Sequence, residues 1–172
     1  DALTGGSGSD TFVFEATSAG NGIDTISDFV AGTGGDVLNF NDFLGASAAV
    51  INGTSSGVYV VPTASALSTH GAPITGTKGG VYIIKDAIAD VDTAAEIVTL
   101  LTTGQAHDAV DFAASKTSIL LYGANDGTQM IAWAVTNDAT AAITAGELTQ
   151  IGLFTTSADA IDSLVAANFV LV

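Results

Sequence analysis

Gly5-Gly6-Ser7-Gly8-Ser9-Asp10-Thr11-Phe12-Val13 is a complete copy of the nonapeptide G-G-x-G-x-D-x-U-x, a repeat of parallel β architectures. Its glycines let the chain turn sharply with φ > 0 and bring carbonyls inward without a Cβ clash. Its aspartate adds carboxylate oxygens to those carbonyls, the hard ligands that Ca²⁺ prefers. Phe12 is the large apolar residue that points inward, and the alternation in Thr11-Phe12-Val13-Phe14 continues as a short strand.

The pattern returns downstream. Gly20-Asn21-Gly22-Ile23-Asp24-Thr25-Ile26-Ser27 repeats G-x-G-x-D-x-U-x with Ala19 in place of the first glycine, and Gly32-Thr33-Gly34-Gly35-Asp36 precedes Val37-Leu38-Asn39-Phe40. The spacing from Gly6 to Gly20 exceeds one nonapeptide, as at the decaying end of a repeat array. Asp10 and Asp24 are the expected carboxylate ligands, with the carbonyls of Gly6, Gly8, Gly20 and Gly22 as partners. Asp28 and Asp36 are weaker ligand candidates, read first as solvated turn residues.

Taken together, Gly-Gly-x-Gly-x-Asp-Thr-Phe-x-Phe, Asp-Thr-Ile-Ser-Asp-Phe and Gly-Gly-Asp-x-Leu-x-Phe resemble the junction where RTX repeats give way to the C-terminal domain of type I secreted bacterial proteins. The likeness is specific over residues 3–44 and diffuse beyond. It implies Ca²⁺ between successive turns, export of the unfolded chain by type I secretion machinery, and an extracellular or cell-surface location. It also implies an uncleaved secretion signal at about residues 145–172.

Composition agrees. There are 18 Asp+Glu against 3 Lys+Arg, a net charge of −15, so nucleic acid and anionic membranes are poor partners and divalent cations the natural counter-charge. Charged residues are only 12% and hydrophobic ones 48%, the wrong balance for disorder. A chain of 172 residues can bury a sizeable core. No apolar run approaches the roughly 18–20 residues that span a bilayer, so no membrane insertion is expected. There is no cysteine, which excludes disulfides and thiolate metal sites. A first residue of Asp and no visible signal peptide suggest the tail of a longer polypeptide.

The expected fold is mainly β: the end of a parallel β-roll over residues 1–44, then a β-rich, sandwich-like domain over 45–172 with two or three short helices. Val58–Val61, Val81–Ile84, Ser118–Tyr122 and Gln129–Val135 read as strands, the last two joined by an Asp126-Gly127 hairpin turn. Residues 88–102 change to a helical period, with Ile88, Val91, Ala95, Val98 and Leu101 on one face. Thr144-Ala145-Gly146-Glu147 reads as a capping box opening a short helix toward Ile151. A last amphipathic stretch groups Ile161, Leu164 and Val165, and Phe169-Val170-Leu171-Val172 reads as a terminal core strand, a secretion signal, or one segment serving both.

Other chemistry is weaker. Thr136–Glu147 has EF-hand length but lacks the first acidic ligand and the required glycine. Gly53-Thr54-Ser55-Ser56-Gly57 matches G-x-S-x-G, but a strand follows it where a nucleophile elbow needs a helix. Nothing places His70 or His107 beside Ser55. There is neither an H-E-x-x-H nor a phosphate-binding glycine loop, and Trp133 reads as core. The sequence therefore points to a non-catalytic, calcium-dependent folding, capping and secretion module. The alternatives are a self-assembling subunit of a surface layer, filament or adhesin, with the chain its own partner, and a fragment of a secreted hydrolase.

Overall fold

The computed structural model describes residues 1–44, 58–61, 74–75, 80–84, 92–102, 110–112, 114–124, 128–138, 142–156 and 160–171. The strands are β1 (Ala2–Leu3), β2 (Thr11–Val13), β3 (Asp24–Phe29), β4 (Val37–Asn39), β5 (Val58–Val61), β6 (Ile74–Thr75), β7 (Val81–Ile84), β8 (Val110–Asp111), β9 (Thr117–Ala124), β10 (Gln129–Thr136), β11 (Leu148–Thr156) and β12 (Phe169–Val170). The helices are short: α1 (Ser18–Asn21), α2 (Asn41–Leu44), α3 (Ala94–Leu101) and α4 (Ala160–Ser163). The protein is mainly β, as the sequence predicts.

A seven-stranded mixed sheet runs β1-β3-β11-β10-β9-β7-β5, a three-stranded sheet runs β12-β4-β2, and β6 and β8 pair separately. The N-terminal strands alternate between the first two: β1 and β3 are parallel neighbours in the large sheet, and β2 and β4 in the small one. The chain thus builds two stacked tiers, β1–turn–β2 and β3–turn–β4. Its C-terminal end supplies a third, because β11 pairs parallel with β3 and β12 parallel with β4. Leu3, Ile26 and Phe154 are in register down one sheet, as are Phe12, Leu38 and Phe169 down the other.

These in-register residues fill the space between the sheets. Phe14 lies 4.5 Å from Phe40 and 6.3 Å from Phe154, ring centre to ring centre, and Phe29 meets Phe154 edge-on at 5.6 Å. The same core continues along the large sheet through Val81, Ile83, Ile119, Leu121 and Met130. A second core covers the opposite face, where Tyr82, Leu120, Ile131 and Trp133 pack with Phe112 and with Ile97 of α3. Burial on both faces explains why β7, β9 and β10 read as continuous apolar runs.

Three local expectations need correction. Over the described part of the 88–102 segment the helix spans Ala94–Leu101, and the residue it buries is Ile97; Ala95 is exposed. Residues 85–91, with Ile88 and Val91, lie outside the described residues. At Thr144–Glu147 the Glu147 carboxylate reaches back to the Thr144 N–H and hydroxyl, half of a capping box, but it closes one 3₁₀ turn and leads into strand β11, not a helix. The sheet wins there because β11 fills the slot between β3 and β10, burying Ile151 and Phe154 completely. Near the C-terminus Ile161 and Leu164 are buried as expected, while Val165 is 38% exposed. The Asp126-Gly127 turn, Ser55, His70 and His107 lie outside the described residues. Among those described, no helix is long and apolar enough to cross a membrane.

Candidate metal-binding turns

Parallel pairing decides which glycine turns meet. With Thr11 opposite Val37, Gly6-Ser7-Gly8-Ser9-Asp10 of the first tier stacks on Gly32-Thr33-Gly34-Gly35-Asp36 of the second. The two are the same G-x-G-x-D pattern 26 residues apart. Gly6 and Gly8 have φ of 90° and 120°, and Gly32 and Gly34 have 103° and 79°, so both turns use backbone that a side chain disfavours. The Gly20-Asn21-Gly22 copy lies in the connection between β2 and β3, on the opposite side of the tiers. Gly20 sits inside α1, its N–H donating to Thr17, and Gly22 caps that helix with φ 67°.

The candidate ligands accordingly fall into two separate sets. On one side are Gly6, Gly8 and Asp10; on the other are Gly20, Gly22 and Asp24. Among the described residues no three acidic or histidine side chains converge. Asp10 Oδ2 is buried without a hydrogen-bond partner and presses on Gly5, where an added Cβ would come within 2.9 Å of it. A buried carboxylate oxygen without a donor is costly, and a hard cation supplied with turn carbonyls would satisfy it. That oxygen is of the donor type Ca²⁺ takes; in the calcium reading Asp10 and the carbonyls of Gly6 and Gly8 would hold the ion.

Asp24 is differently placed. It is 7% exposed, and its Oδ1 accepts from the Asp1 nitrogen at 2.8 Å. A cleft of about 470 Å³ opens beside it, lined by Leu3, Thr11, Phe12, Glu15, Asn21 and Asp24 among others.

Asp28 and Asp36 are not merely solvated. Asp36 is 2% exposed, its Oδ1 accepting from the Asp10 N–H at 2.9 Å and its Oδ2 from Val30 N–H at 2.8 Å. Asp28 accepts from the N–H groups of Gly5 and Gly6 at 2.9 and 2.8 Å, and the Gly6 bond, then the Gly5 bond, hold its carboxyl below the usual aspartate range. Gly35 is required by close approach, since a Cβ there would fall 2.3 Å from the Val30 carbonyl. The signal for this stacking was in the sequence, as the identity of G-x-G-x-D at 6–10 and 32–36.

Glu147 is occupied as a cap: its carboxylate accepts from Asp138 N–H, Thr144 N–H and the Thr144 hydroxyl. That accounts for it without a metal. No protein-family model, curated protein or solved structure matches this chain.

Proposed function

We propose that this chain is a non-catalytic module that ends a calcium-binding β-roll, caps it, and carries the export signal of an RTX-type extracellular protein. In this reading residues 1–44 are the last turns of the roll and residues 45–172 the capping domain, with the signal in 145–172. The observation that carries it is the parallel stacking of two G-x-G-x-D turns, with a buried, unpartnered carboxylate oxygen on Asp10. Extracellular calcium modules bind at roughly 10⁻⁴–10⁻³ M, so such a turn is empty in the cytoplasm and filled outside. At a hundredfold excess over Kd the gain is about 2.7 kcal/mol. The exporter-read segment is presented by the unfolded chain, because Phe169 and Leu171 are buried once folding is complete.

The test is thermal unfolding with light scattering across a Ca²⁺ titration, against EGTA and Mg²⁺. The expected result is a calcium-specific rise in Tm, lost on combining Asp10→Ala with Asp24→Ala. A calcium-indifferent Tm overturns the metal-binding part. Self-assembly is the second reading, favoured by the exposure of Val13 at 58% and Ile23 at 55%. Growth in particle mass with calcium would select it.

A further inference from the structure

The polar side chains of each tier bond to the main chain of a neighbouring tier. In the second tier Asp24, Asp28 and Asp36 accept from the nitrogens of Asp1, of Gly5 and Gly6, and of Asp10, all in the first. In the C-terminal segment Asn168, 1% exposed, does the same for the second tier with both ends of its amide. Its Oδ1 accepts from Gly32 N–H at 3.0 Å and from Val165 N–H at 3.0 Å. Its Nδ2 donates to the carbonyls of Gly32 at 3.0 Å and Asp36 at 2.7 Å. On the other side of the tiers Asn21 donates to the Ile151 carbonyl of β11 at 3.0 Å.

From this we infer that the tiers are locked by metal-free side-chain clamps, and that Asn168 is the positioning residue that sets them. Asn168 fixes the 30–36 turn at its first glycine and its aspartate. That turn aims both oxygens of Asp36, one at Val30 N–H within the turn and one at Asp10 N–H in the tier above. Ser9 reinforces the stack by donating to the Gly35 carbonyl at 2.6 Å. A residue four places from the end of the chain thereby holds the turn that bears Asp10. None of these clamps uses Asp10 Oδ2, so the lock stands whether or not calcium binds there.

The geometry explains why an amide serves at position 168. The site presents two carbonyls and two N–H groups to one side chain, and a carboxamide, with two donor hydrogens and an oxygen of two lone pairs, answers all four. A carboxylate there keeps the acceptor, loses the donor and buries a charge.

The experiment is amide hydrogen exchange by NMR on the 172-residue chain in EGTA, then in calcium. In EGTA the wild-type amides of Asp10, Val30 and Gly32 are expected to be protected. Asn168→Ala should speed exchange at Gly32 and also at Asp10 by about tenfold or more, the loss of one or two such bonds, and Asn168→Asp, which loses only the donor half, should speed it at Asp10, while Ile131 in β10 keeps its protection. Asp36→Ala should release Asp10 and Val30 alone. Asp10→Asn should release none of them. Protection of Asp10 and Val30 that appears only with calcium would overturn the inference. So would an Asn168→Ala variant that exchanges normally at Asp10. Should Asn168→Ala unfold the whole chain, the wild type in EGTA and the Asp36→Ala variant still decide the matter. The calcium reading fails or stands separately, on Tm.

Discussion

Asp28 holds the first glycine turn from below, and its carboxyl titrates lower than usual because the Gly6 and Gly5 N–H groups stabilise the charged form. A group depressed in the folded state contributes fully above its unfolded pKa of about 3.9 and loses that contribution as pH falls through the folded value. The clamp is therefore intact near neutrality and released in acid, below about pH 4. The amide resonances of Gly5 and Gly6 should shift together with an apparent pKa under the ordinary aspartate value, and Asp28→Asn should abolish the shift. A midpoint at or above the ordinary value would contradict the bond. The aspartates of this region were legible as turn residues, but not their roles. Asp10 and Asp24 stand out by motif, whereas Asp36 acquires its Asp10 partner only when parallel pairing puts the 32–36 turn on the 6–10 turn. The equal spacing patterns were visible; that the two intervening half-turns sum to one tier was not, because the Gly20 copy falls between them on the opposite side.

At the level of elements, α3 shows what the sequence specified and what packing decided. Thr93 Oγ1 accepts from Glu96 N–H while Glu96 Oε2 accepts from Thr93 N–H and the Thr93 hydroxyl, a complete capping box. The Thr93 hydroxyl, with its main-chain N–H, also holds the Glu96 carboxyl below the usual range. Thr93→Ala removes half of the box and should cost about 1 kcal/mol, a fall in Tm of roughly 2–4 °C for a chain of this size. Thr93→Ser should restore most of it, and equal Tm values for all three would show that the cap contributes nothing. The same S/T-x-x-E signature at Thr144–Glu147 opens a strand instead of a helix. Local capping fixes one turn; the conformation beyond it depends on whether the next residues find a sheet to join. Gly152 illustrates the constraint, since a Cβ there would meet the Phe154 and Phe14 rings at 3.0 and 3.4 Å. The strands buried on both faces were readable from β-branched and aromatic runs. Their order was not, because nothing in a short apolar run names its neighbour.

At the scale of residues 1–172 together, the telling feature is that early and late strands share one sheet. β3 lies between β1 and β11 in one continuous sheet, so the tiers at the N-terminus are completed by strands contributed more than a hundred residues later. A split at residue 44 would have to break that sheet, and with it the contacts that Phe154 of β11 makes with Phe14 and Phe29. Phe154 is fully buried, and its removal should cost about 3–5 kcal/mol. If tiers and large sheet form one cooperative unit, unfolding by urea should give the same midpoint by Trp133 fluorescence, which reports the core on the far face of the sheet, and by the methyl resonances of Leu38, which report the core between the sheets. Phe154→Ala should lower both midpoints together. Two separate midpoints, with only the Leu38 signal displaced by the substitution, would instead divide the chain into two independently folding domains near residue 44. Coincidence follows from the topology: β3 cannot leave without exposing an edge of β11, and β11 cannot leave without uncovering Phe14 and Phe29, which pack on its Phe154.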